Sequence, residues 1–315
     1  VGVIDVVITN LSAQIITKKS IIIDNERYNY DLVFKKLINL INEVLESSEL
    51  DKEKILGVGV ALHGIVNART GESIHSLYYG WKNKNIKEDL EEELELTVYV
   101  DNDVRAMALG ESWFGVTKDI ANFVTLNISN GIGAGIIINN TPYYGVDFSA
   151  GEIGHIVVEA DGDKCNCGNY GCLETVSSNN NIIRKAIKLI KQGVSTSLSR
   201  DVEDINKLSI QDICDAAKNG DEMSITILKE AARYIGIAIT NLINILNPTA
   251  IVVVGEIFEN TTYAIETLNE IVKNRGLKLS IENVRIIRSL LGRDAAVIGA
   301  ATLVIQEIFN GINRK

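Results

Sequence analysis

The sequence predicts an α/β protein made of two domains of similar plan. Strand-like apolar runs alternate with helical patterns through the first third of the chain, which is typical of an α/β layer. A second series follows, with strands around a glycine turn and then helices. The chain has 315 residues, of which 46% are hydrophobic, and this is enough for one large domain or two medium ones.

The first series begins with apolar runs separated by polar turns, which predict a meander of strands over Val1–Asp24. Apolar residues at helical spacing then predict a helix over Tyr30–Ser48. The remaining predicted elements of this series are a buried strand over Ile55–Leu62, a solvated helix over Lys87–Glu95, a strand over Thr97–Val100 and a helix beginning at Ala106.

The second series begins with a predicted strand over Asn122–Asn127. A glycine turn at Gly131, Gly133 and Gly135 leads into a strand over Ala134–Ile138. The later predicted elements are helices over Asn179–Gln192 and Ser209–Leu246, strands over Ala250–Val254 and Val284–Arg288, and a closing helix over Ala295–Phe309.

The charge balance narrows the choice of function. The chain carries 31 Lys and Arg residues against 41 Asp and Glu residues, a formal net charge of −10. Because an acidic surface repels phosphate backbones, we expect this chain by itself to bind nucleic acid poorly. The sequence contains no apolar stretch of about 18 residues or more, so it predicts no membrane-spanning helix. Clustered cysteines in a large chain are typical of a reducing compartment, so we expect a cytoplasmic protein without a membrane partner.

Three of the four cysteines lie close together in the sequence. His155, Cys165, Cys167 and Cys172 are separated by ten, two and five positions. Zinc prefers four tetrahedral nitrogen and sulfur ligands, and thiolates suit it well. Four protein ligands leave no open position, so the pattern predicts a structural zinc rather than one that activates water. Disulfides or free thiols are the alternative interpretation.

Two carboxylates flank this cluster. Glu152 lies three residues before His155, and Glu174 lies two residues after Cys172. A rigid metal site positions neighbouring side chains at low entropic cost, which favours binding of a hydroxyl-rich ligand such as a sugar. Two ordinary surface acids would give the same spacing.

Six segments together resemble the ROK family, which contains bacterial sugar kinases and sugar-responsive transcriptional repressors. The resemblance covers nearly the whole chain, because the six segments occur in the expected order, and their combination is specific although no single segment is. They are Asp101–Asp103, Gly131–Gly135, Gly151–His155, Cys165–Gly168, Gly171–Glu174 and Leu291–Asp294. The resemblance implies two actin-like, hexokinase-like (ribonuclease H-like) α/β domains with a central cleft that holds a sugar.

The resemblance also implies roles for individual residues. His155 is expected to join the zinc to the sugar through its two ring nitrogens, and Asp103 is the general base if the protein is a kinase, since a carboxylate can accept the hydroxyl proton. Without the resemblance, Asp101–Asp103 would be interpreted as a turn at a strand end. The residues implied to contact the sugar are Gly64, Asn102, Asp103, Glu152, His155 and Glu174.

The nucleotide loops depart from the pattern of the family's kinases. The N-terminal phosphate turn of those kinases is cut off or degraded near Val1–Val3. Their second loop usually reads Gly-Thr-Gly-x-Gly, whereas this chain keeps Gly131 and Gly133 but has Asn130 in place of the hydroxyl residue. Their later glycine run is Val254–Glu256 here, with Gly255 retained and a carboxylate beside it. These three changes together predict weakened nucleotide binding.

The sequence therefore favours the sugar-binding effector domain of a repressor over an ATP- and Mg²⁺-dependent hexose kinase; a sugar-binding protein with neither activity is a third option. Because the chain starts within an apparent strand, we expect an upstream winged-helix domain that contacts operator DNA. The family usually forms homodimers or homotetramers. The predicted domains are residues 1–104, closed by a helix at about 300–315, and residues 105–299.

Overall fold

The computed structural model describes residues 2–202 and 204–313 and confirms a mixed α/β protein. The strands are β1 (Gly2–Thr9), β2 (Ile15–Ile23), β3 (Val58–Leu62), β4 (Ile65–Asn67), β5 (Glu72–Ser76), β6 (Trp81–Lys84), β7 (Val98–Asn102), β8 (Phe123–Ile128), β9 (Ile132–Ile138), β10 (Thr141–Pro142), β11 (Ala250–Val254) and β12 (Arg285–Arg288). The helices are α1 (Tyr30–Ser48), α2 (Ile86–Leu94), α3 (Asp103–Phe114), α4 (Leu173–Ser177), α5 (Asn179–Lys191), α6 (Leu198–Asp201), α7 (Ile210–Lys218), α8 (Glu222–Leu246), α9 (Glu256–Glu259), α10 (Tyr263–Arg275), α11 (Lys278–Ile281) and α12 (Ala295–Asn313).

The chain divides into two compact units. The first unit comprises the chain up to Asp119, the segment Gly135–Ala150 and the chain from Arg293 onward. The second unit comprises Ile120–Ala134 and Gly151–Gly292. The domain bounds interpreted from the sequence stay a prediction.

The first unit contains three small sheets. Strands β1 and β2 form an antiparallel hairpin, β3 and β7 pair in parallel, and β4, β5 and β6 form an antiparallel sheet with β5 in the middle. Helix α12 returns from the end of the chain to pack against α3 and β3. Strand β9 begins in the second unit and continues into the first, where β10 pairs with its end.

The second unit is built around a buried parallel strand. Strand β11 lies between β8 and β12 and runs parallel to both. Its sequence, Ala-Ile-Val-Val-Val, is buried along its whole length, as expected for a strand that is covered on both faces and paired on both edges. Helix α8 packs against α10, α4 and α7, which completes the core of this unit.

Helix α1 shows how closely the sequence pattern can fix an element. The side chain of Asn29 caps its N-terminus by accepting a hydrogen bond from the Leu32 backbone N–H at 3.2 Å. The helix ends where Glu49 adopts the left-handed conformation. The predicted span Tyr30–Ser48 is confirmed.

Other elements differ from the sequence expectation. The meander over residues 1–24 is the single hairpin β1–β2, with Val1 outside the described residues. Helix α2 is not fully solvated, because Ile86, Leu90 and Leu94 repeat every four residues and form a buried stripe. Gly133 and Gly135 lie inside β9 rather than in the turn before it. Across the described residues, none of the helices has the length and apolar character needed to cross a membrane.

Candidate ligand and metal sites

Asn102 and Asp103 lie where β7 ends and α3 begins. The Asn102 side-chain oxygen caps the helix by accepting hydrogen bonds from the backbone N–H groups of Val104 (3.0 Å) and Arg105 (3.1 Å). Its Nδ2 group donates to the Gly64 carbonyl (3.0 Å) and to Asp103 Oδ1 (3.0 Å). An amide side chain has two donor hydrogens and two acceptor lone pairs, so these four bonds use all of them.

Gly64 is required at its position by close packing. Its φ of +105° lies in the region that side chains rarely adopt, and an added Cβ would lie 2.6 Å from the His75 carbonyl oxygen. The first unit therefore brings together three of the residues predicted to contact the sugar, namely Gly64, Asn102 and Asp103.

Arg105 forms a buried network behind this group that was not predicted from the sequence. Its Nε donates to Asp101 Oδ1 (2.7 Å), its Nη1 to the Phe148 carbonyl (2.8 Å) and its Nη2 to the Val66 carbonyl (2.7 Å). Burial raises the pKa of Asp101, and the Arg105 cation opposes that rise. The sequence signal that could have indicated it was opposite charges at positions i and i+4 across a strand–helix junction.

The second unit brings the four predicted metal ligands together. The ligand atoms of His155, Cys165, Cys167 and Cys172 all lie within 4.8 Å of one another. The Sγ atoms of Cys167 and Cys172 are 3.8 Å apart, and Cys165 Sγ lies 3.6 Å from His155 Nδ1. Zinc bond lengths of about 2.3 Å to sulfur and about 2.0–2.1 Å to nitrogen would give tetrahedral separations of about 3.8 and 3.5 Å. The cluster could therefore hold a metal ion.

Backbone hydrogen bonds assemble this cluster from separate segments. The N–H of Val158 donates to the Gly171 carbonyl at 2.9 Å, and the N–H of Leu173 donates to the Ile156 carbonyl at 2.9 Å. The N–H of Cys165 closes the loop onto the Asn169 carbonyl at 2.7 Å. The ligands are thus held close together by the backbone itself.

The three thiols have different environments. Burial raises the pKa of Cys165 and raises that of Cys172 to about 12. A hydrogen bond from the Asn169 backbone lowers the pKa of the exposed Cys167. The fourth cysteine, Cys214, is buried in α7 and is not a member of the cluster.

The two ring nitrogens of His155 face different groups. Nδ1 faces Cys165, whereas Nε2 lies 3.7 Å from a carboxylate oxygen of Glu152. A metal-binding histidine commonly directs its second ring nitrogen toward a carboxylate, which fixes the ring orientation. The Glu152 side chain is 45% exposed, so it also remains accessible to a ligand.

Glu174 connects the segment that carries Cys172 to the start of β9. It lies at the beginning of α4, and its Oε2 accepts a hydrogen bond from the Ile132 backbone N–H at 3.2 Å. Its carbonyl accepts a bond from Asn181 Nδ2 at 2.7 Å. Glu174 therefore has a structural role in addition to the ligand role predicted from the sequence.

The turn between β8 and β9 lies beside an acidic side chain. Asn179 donates its backbone N–H to the Ser129 carbonyl at 2.8 Å and its side-chain amide to the Glu256 carboxylate at 2.5 Å. Asn180 Nδ2 contacts the carbonyl of Asn130 at 3.4 Å. This arrangement connects Asn130 and its turn to Glu256, two sites that are far apart in the sequence.

Gly255, the residue before Glu256, packs closely against the end of β8. It has a φ of +140°, and an added Cβ would lie 2.1 Å from the Ile128 carbonyl oxygen. Its close approach to β8 is thus a structural reason for glycine at this position, and it does not depend on a nucleotide. For Val1–Val3, the structure places Gly2 and Val3 inside β1 rather than in a turn.

Comparison with known proteins identifies the family. The ROK family model matches residues 1–307. The DNA-binding transcriptional dual regulator NagC of Escherichia coli K12 is 33% identical over 276 residues, which are 88% of this chain and 66% of that protein. A glucokinase of Halalkalibacterium halodurans is 33% identical over 277 residues, 88% of this chain and 84% of that protein. The chain thus spans just under two thirds of the regulator it matches.

A solved structure gives the same result. The crystal structure of a ROK family transcriptional regulator, a homolog of the E. coli MLC protein, matches with a TM-score of 0.88 and 30% identity, over 98% of this chain and 76% of that chain. This likeness confirms the predicted actin-like, hexokinase-like α/β fold. With the family model and the relatives in agreement, the chain belongs to the ROK family.

Proposed function

We propose that this chain is the sugar-binding effector domain of a ROK-type transcriptional regulator that represses sugar-utilisation genes. The regulator NagC and a xylose repressor of Caldicellulosiruptor bescii, 31% identical to this chain, support the proposal. In this proposal operator DNA is bound by a winged-helix domain outside the present chain. The protein works as a homodimer or homotetramer. In this proposal the protein has one state that binds operator DNA and one that binds it weakly. The sugar must bind one of these two states more tightly than the other to shift the balance between them.

The observation that carries the proposal is the position of Glu256. The hydrogen bonds of Asn179 fix this carboxylate beside the Ser129–Gly131 turn, where family kinases hold nucleotide phosphates. Two negative charges about 4 Å apart repel by ~1 kcal/mol in water and by more near a protein surface. The amide of Asn130 also replaces the hydroxyl that those kinases use. A nucleotide is therefore disfavoured on this side of the protein.

The proposed sugar contacts form two groups. The first unit supplies Gly64, Asn102 and Asp103, whose polar atoms are already connected by hydrogen bonds. The second unit supplies Glu152, His155 and Glu174, which are held in place by the cysteine cluster and the start of β9. Carboxylates that are fixed in this way are suited to accepting hydrogen bonds from sugar hydroxyl groups, whereas Asn102 would have to exchange one of its present four bonds for a sugar hydroxyl.

The metal in the proposal is a structural zinc. His155, Cys165, Cys167 and Cys172 offer one nitrogen and three sulfur atoms within 4.8 Å of one another, and the Cys165–His155 and Cys167–Cys172 separations fit tetrahedral zinc. When bound, zinc would supply a fixed crosslink among these segments and no reactive water, because all four positions are taken. Its role would be to hold Glu152 and Glu174 in place.

An ATP- and Mg²⁺-dependent sugar kinase is the second candidate. One observation favours it: Asp103 is present, and Asn102 and the Val104 backbone N–H hold its carboxylate at 3.0 and 2.9 Å. In a kinase this carboxylate would accept the proton of the sugar hydroxyl. The glucokinase relative is as similar in identity as the regulator.

A coupled assay separates the two candidates. The protein is incubated with ATP, Mg²⁺ and a panel of hexoses, pentoses and amino sugars, and the Asp103→Asn variant is the matched control. We expect no turnover above that control, together with calorimetric binding of at least one sugar. Phosphorylation that is abolished by Asp103→Asn would assign the protein to the kinases instead. Absence of both binding and turnover would reject both candidates.

A further inference from the structure

A pocket with aromatic walls opens on the surface of the first unit. It lies between Asn25–Asp31, the segment that leads into α1, and Gly80–Lys84, which contains β6. Its volume is 470 Å³, and small-molecule sites in proteins have volumes of about 300–1,000 Å³. None of the residues predicted to contact the sugar belongs to its lining. The pocket is therefore a separate candidate site.

Tyr28 is the exposed aromatic wall of this pocket. The residue is 58% exposed, but its ring is held by two neighbours. The Arg27 guanidinium lies over the ring, 4.7 Å from its centroid, and Arg27 Nη2 donates a hydrogen bond to the Tyr28 hydroxyl at 2.7 Å. Gly80 packs against the ring, because an added Cβ at Gly80 would lie 3.2 Å from Tyr28 Cδ1. The ring is thus oriented while much of its surface stays open to solvent.

Tyr30 and Trp81 form the inner wall of the pocket. Trp81 is 6% exposed, and the two rings meet edge to face with their centroids 5.0 Å apart. The Tyr30 hydroxyl donates to the carboxylate of Asp89, and the Lys84 ammonium lies over the Tyr30 ring at 4.6 Å from its centroid. These contacts fix both rings before a ligand arrives, which lowers the entropic cost of binding.

Polar side chains of mixed type lie around these rings. The Asn29 side-chain oxygen caps α1, so its amide N–H groups remain to donate hydrogen bonds. The exposed Asp31 can only accept hydrogen bonds, and the exposed Lys82 can only donate them. Neither of these two charges has an ion-pair partner in the part of the chain that the structure describes. The pocket thus offers donors and acceptors that are not already paired with each other.

This combination of groups favours a neutral carbohydrate over a charged ligand. A sugar ring has an apolar C–H face, which an aromatic ring can cover, and hydroxyl groups that both donate and accept hydrogen bonds. Hydroxyl groups can therefore pair with Asp31 and with Lys82 alike. An anion would meet the like charge of Asp31, and a cation would meet those of Lys82 and Lys84.

We propose that this pocket is a second carbohydrate site, which binds one ring of a neutral mono- or disaccharide. The ring of Tyr28 is the platform for the apolar face of the sugar. Asn29, Asp31 and Lys82 bind the hydroxyl groups. All of these residues belong to the first unit, and the proposal does not depend on the proposed effector function.

NMR titration of the ¹⁵N-labelled protein tests this site. The probes are glucose, xylose, N-acetylglucosamine, maltose and cellobiose, each added alone, and the backbone amides of Gly80 and Lys82 report on the pocket. We expect at least one probe to shift both amides in a saturable manner. Glu174→Ala should leave this titration unchanged, because Glu174 lies in the second unit and does not line the pocket.

Substitutions of two exposed tyrosines test whether the sugar stacks on the proposed platform. Tyr28→Ala removes the ring and should weaken the affinity about tenfold or more. Tyr28→Phe keeps the ring and should keep most of the affinity. Tyr143→Ala is the matched control, since Tyr143 is 51% exposed in the same unit but does not line the pocket. Circular dichroism verifies that each variant is folded.

A second variant serves if Tyr28→Ala does not fold. Asp31→Ala changes an exposed side chain, removes the acceptor of the pocket and should also weaken the titration of Gly80 and Lys82. An affinity equal to that of the unaltered protein would contradict the proposed hydroxyl contacts.

Three outcomes would overturn the proposal. The first is that no probe shifts the Gly80 and Lys82 amides in a saturable manner. The second is that Tyr28→Ala and Tyr143→Ala bind the probe equally well. The third is saturable binding of inorganic phosphate that Lys82→Met abolishes, because the pocket would then be an anion site. The Ile132 amide, which bonds Glu174, reports on the proposed effector site, so failure of that proposal is recognised separately.

Discussion

Asn179 donates its side-chain amide to the carboxylate of Glu256 at 2.5 Å, and its backbone N–H donates to Ser129 at 2.8 Å. One residue therefore fixes an acidic group next to the turn between β8 and β9. Both contacts lie within the second unit.

Removing the charge of Glu256 is expected to improve nucleotide binding. Glu256→Gln keeps an oxygen that can accept the bond from Asn179 and removes a repulsion of at least ~1 kcal/mol, which corresponds to about fivefold in affinity. Calorimetry with MgATP measures the change, and Glu259→Gln on the same helix is the control. Equal affinities for all three proteins would show that Glu256 is not what limits nucleotide binding.

Loss of one cysteine is expected to release the metal. Purified protein should contain about one zinc per chain by elemental analysis, and Cys167→Ser should contain much less. At a free zinc concentration a thousand times Kd, the lost linkage would lower the free energy of unfolding by about 4 kcal/mol. Cys214→Ser, outside the cluster, should keep its zinc. A freshly reduced protein without zinc would remove the structural-zinc proposal.

Truncation of Glu174 is expected to weaken sugar binding without removing zinc. A hydrogen bond to a charged group contributes about 1.5–3 kcal/mol, so Glu174→Ala should reduce the affinity at least about tenfold by calorimetry. The Ile132 backbone N–H also loses its acceptor, so a small fall in stability should accompany the change. Glu266→Ala, an exposed acid on α10, is the control. Unchanged sugar affinity would show that Glu174 is structural only.

The buried Arg105 is expected to be important for stability. Arg105→Met leaves the buried Asp101 carboxylate without its cation and removes one donor from each of two carbonyls, and breaking such an ion pair costs about 3–5 kcal/mol. Urea unfolding measures the loss, with the exposed Arg69→Met as the control. The double variant Asp101→Asn with Arg105→Met should recover part of it. A loss as small as that of Arg69→Met would contradict the network.

Alkaline pH is expected to destabilise the first unit through Tyr79. Burial, aided by neighbouring Tyr78, raises the pKa of Tyr79 to about 12 from its usual value near 10. The folded state then holds the phenol proton more tightly than the unfolded state. The contribution of this proton to the free energy of unfolding is therefore complete below pH 10 and is lost as the pH rises toward 12. The total is about 2–3 kcal/mol. Urea midpoints between pH 9 and 11 should fall less steeply in Tyr79→Phe; identical slopes would argue against this role.

The sequence predicted the elements whose apolar pattern is strong. Helix α1 and strand β11 have the predicted bounds, because helical spacing in one and a continuous apolar run in the other leave little choice. Strands β5 and β6, Glu-Ser-Ile-His-Ser and Trp-Lys-Asn-Lys, were not predicted. Their residues are mostly polar, and their pairing is set by tertiary contacts that local patterns do not record.

The residues of the candidate sites also differ in how far the sequence alone predicts their positions. The clustering of the four candidate metal ligands could be predicted because a histidine and three cysteines at this spacing are typical of a metal site. The double role of Asn102, as helix cap and as partner of Gly64, is visible only in the folded structure, since Gly64 lies 38 positions away in the sequence. The same holds for Arg105, whose three acceptors come from β4, the end of β7 and the segment after β10.

The return of α12 to the first unit has a consequence for synthesis on the ribosome. Domains usually fold in order from the N-terminus as the chain emerges. Here the residues of the second unit are all synthesised before α12. Strand β3 and helix α3 of the first unit, in contrast, can be covered by α12 only after that helix has been synthesised. Of the two units, the one whose synthesis begins first is therefore completed second, and β3 lacks its cover until α12 leaves the exit tunnel.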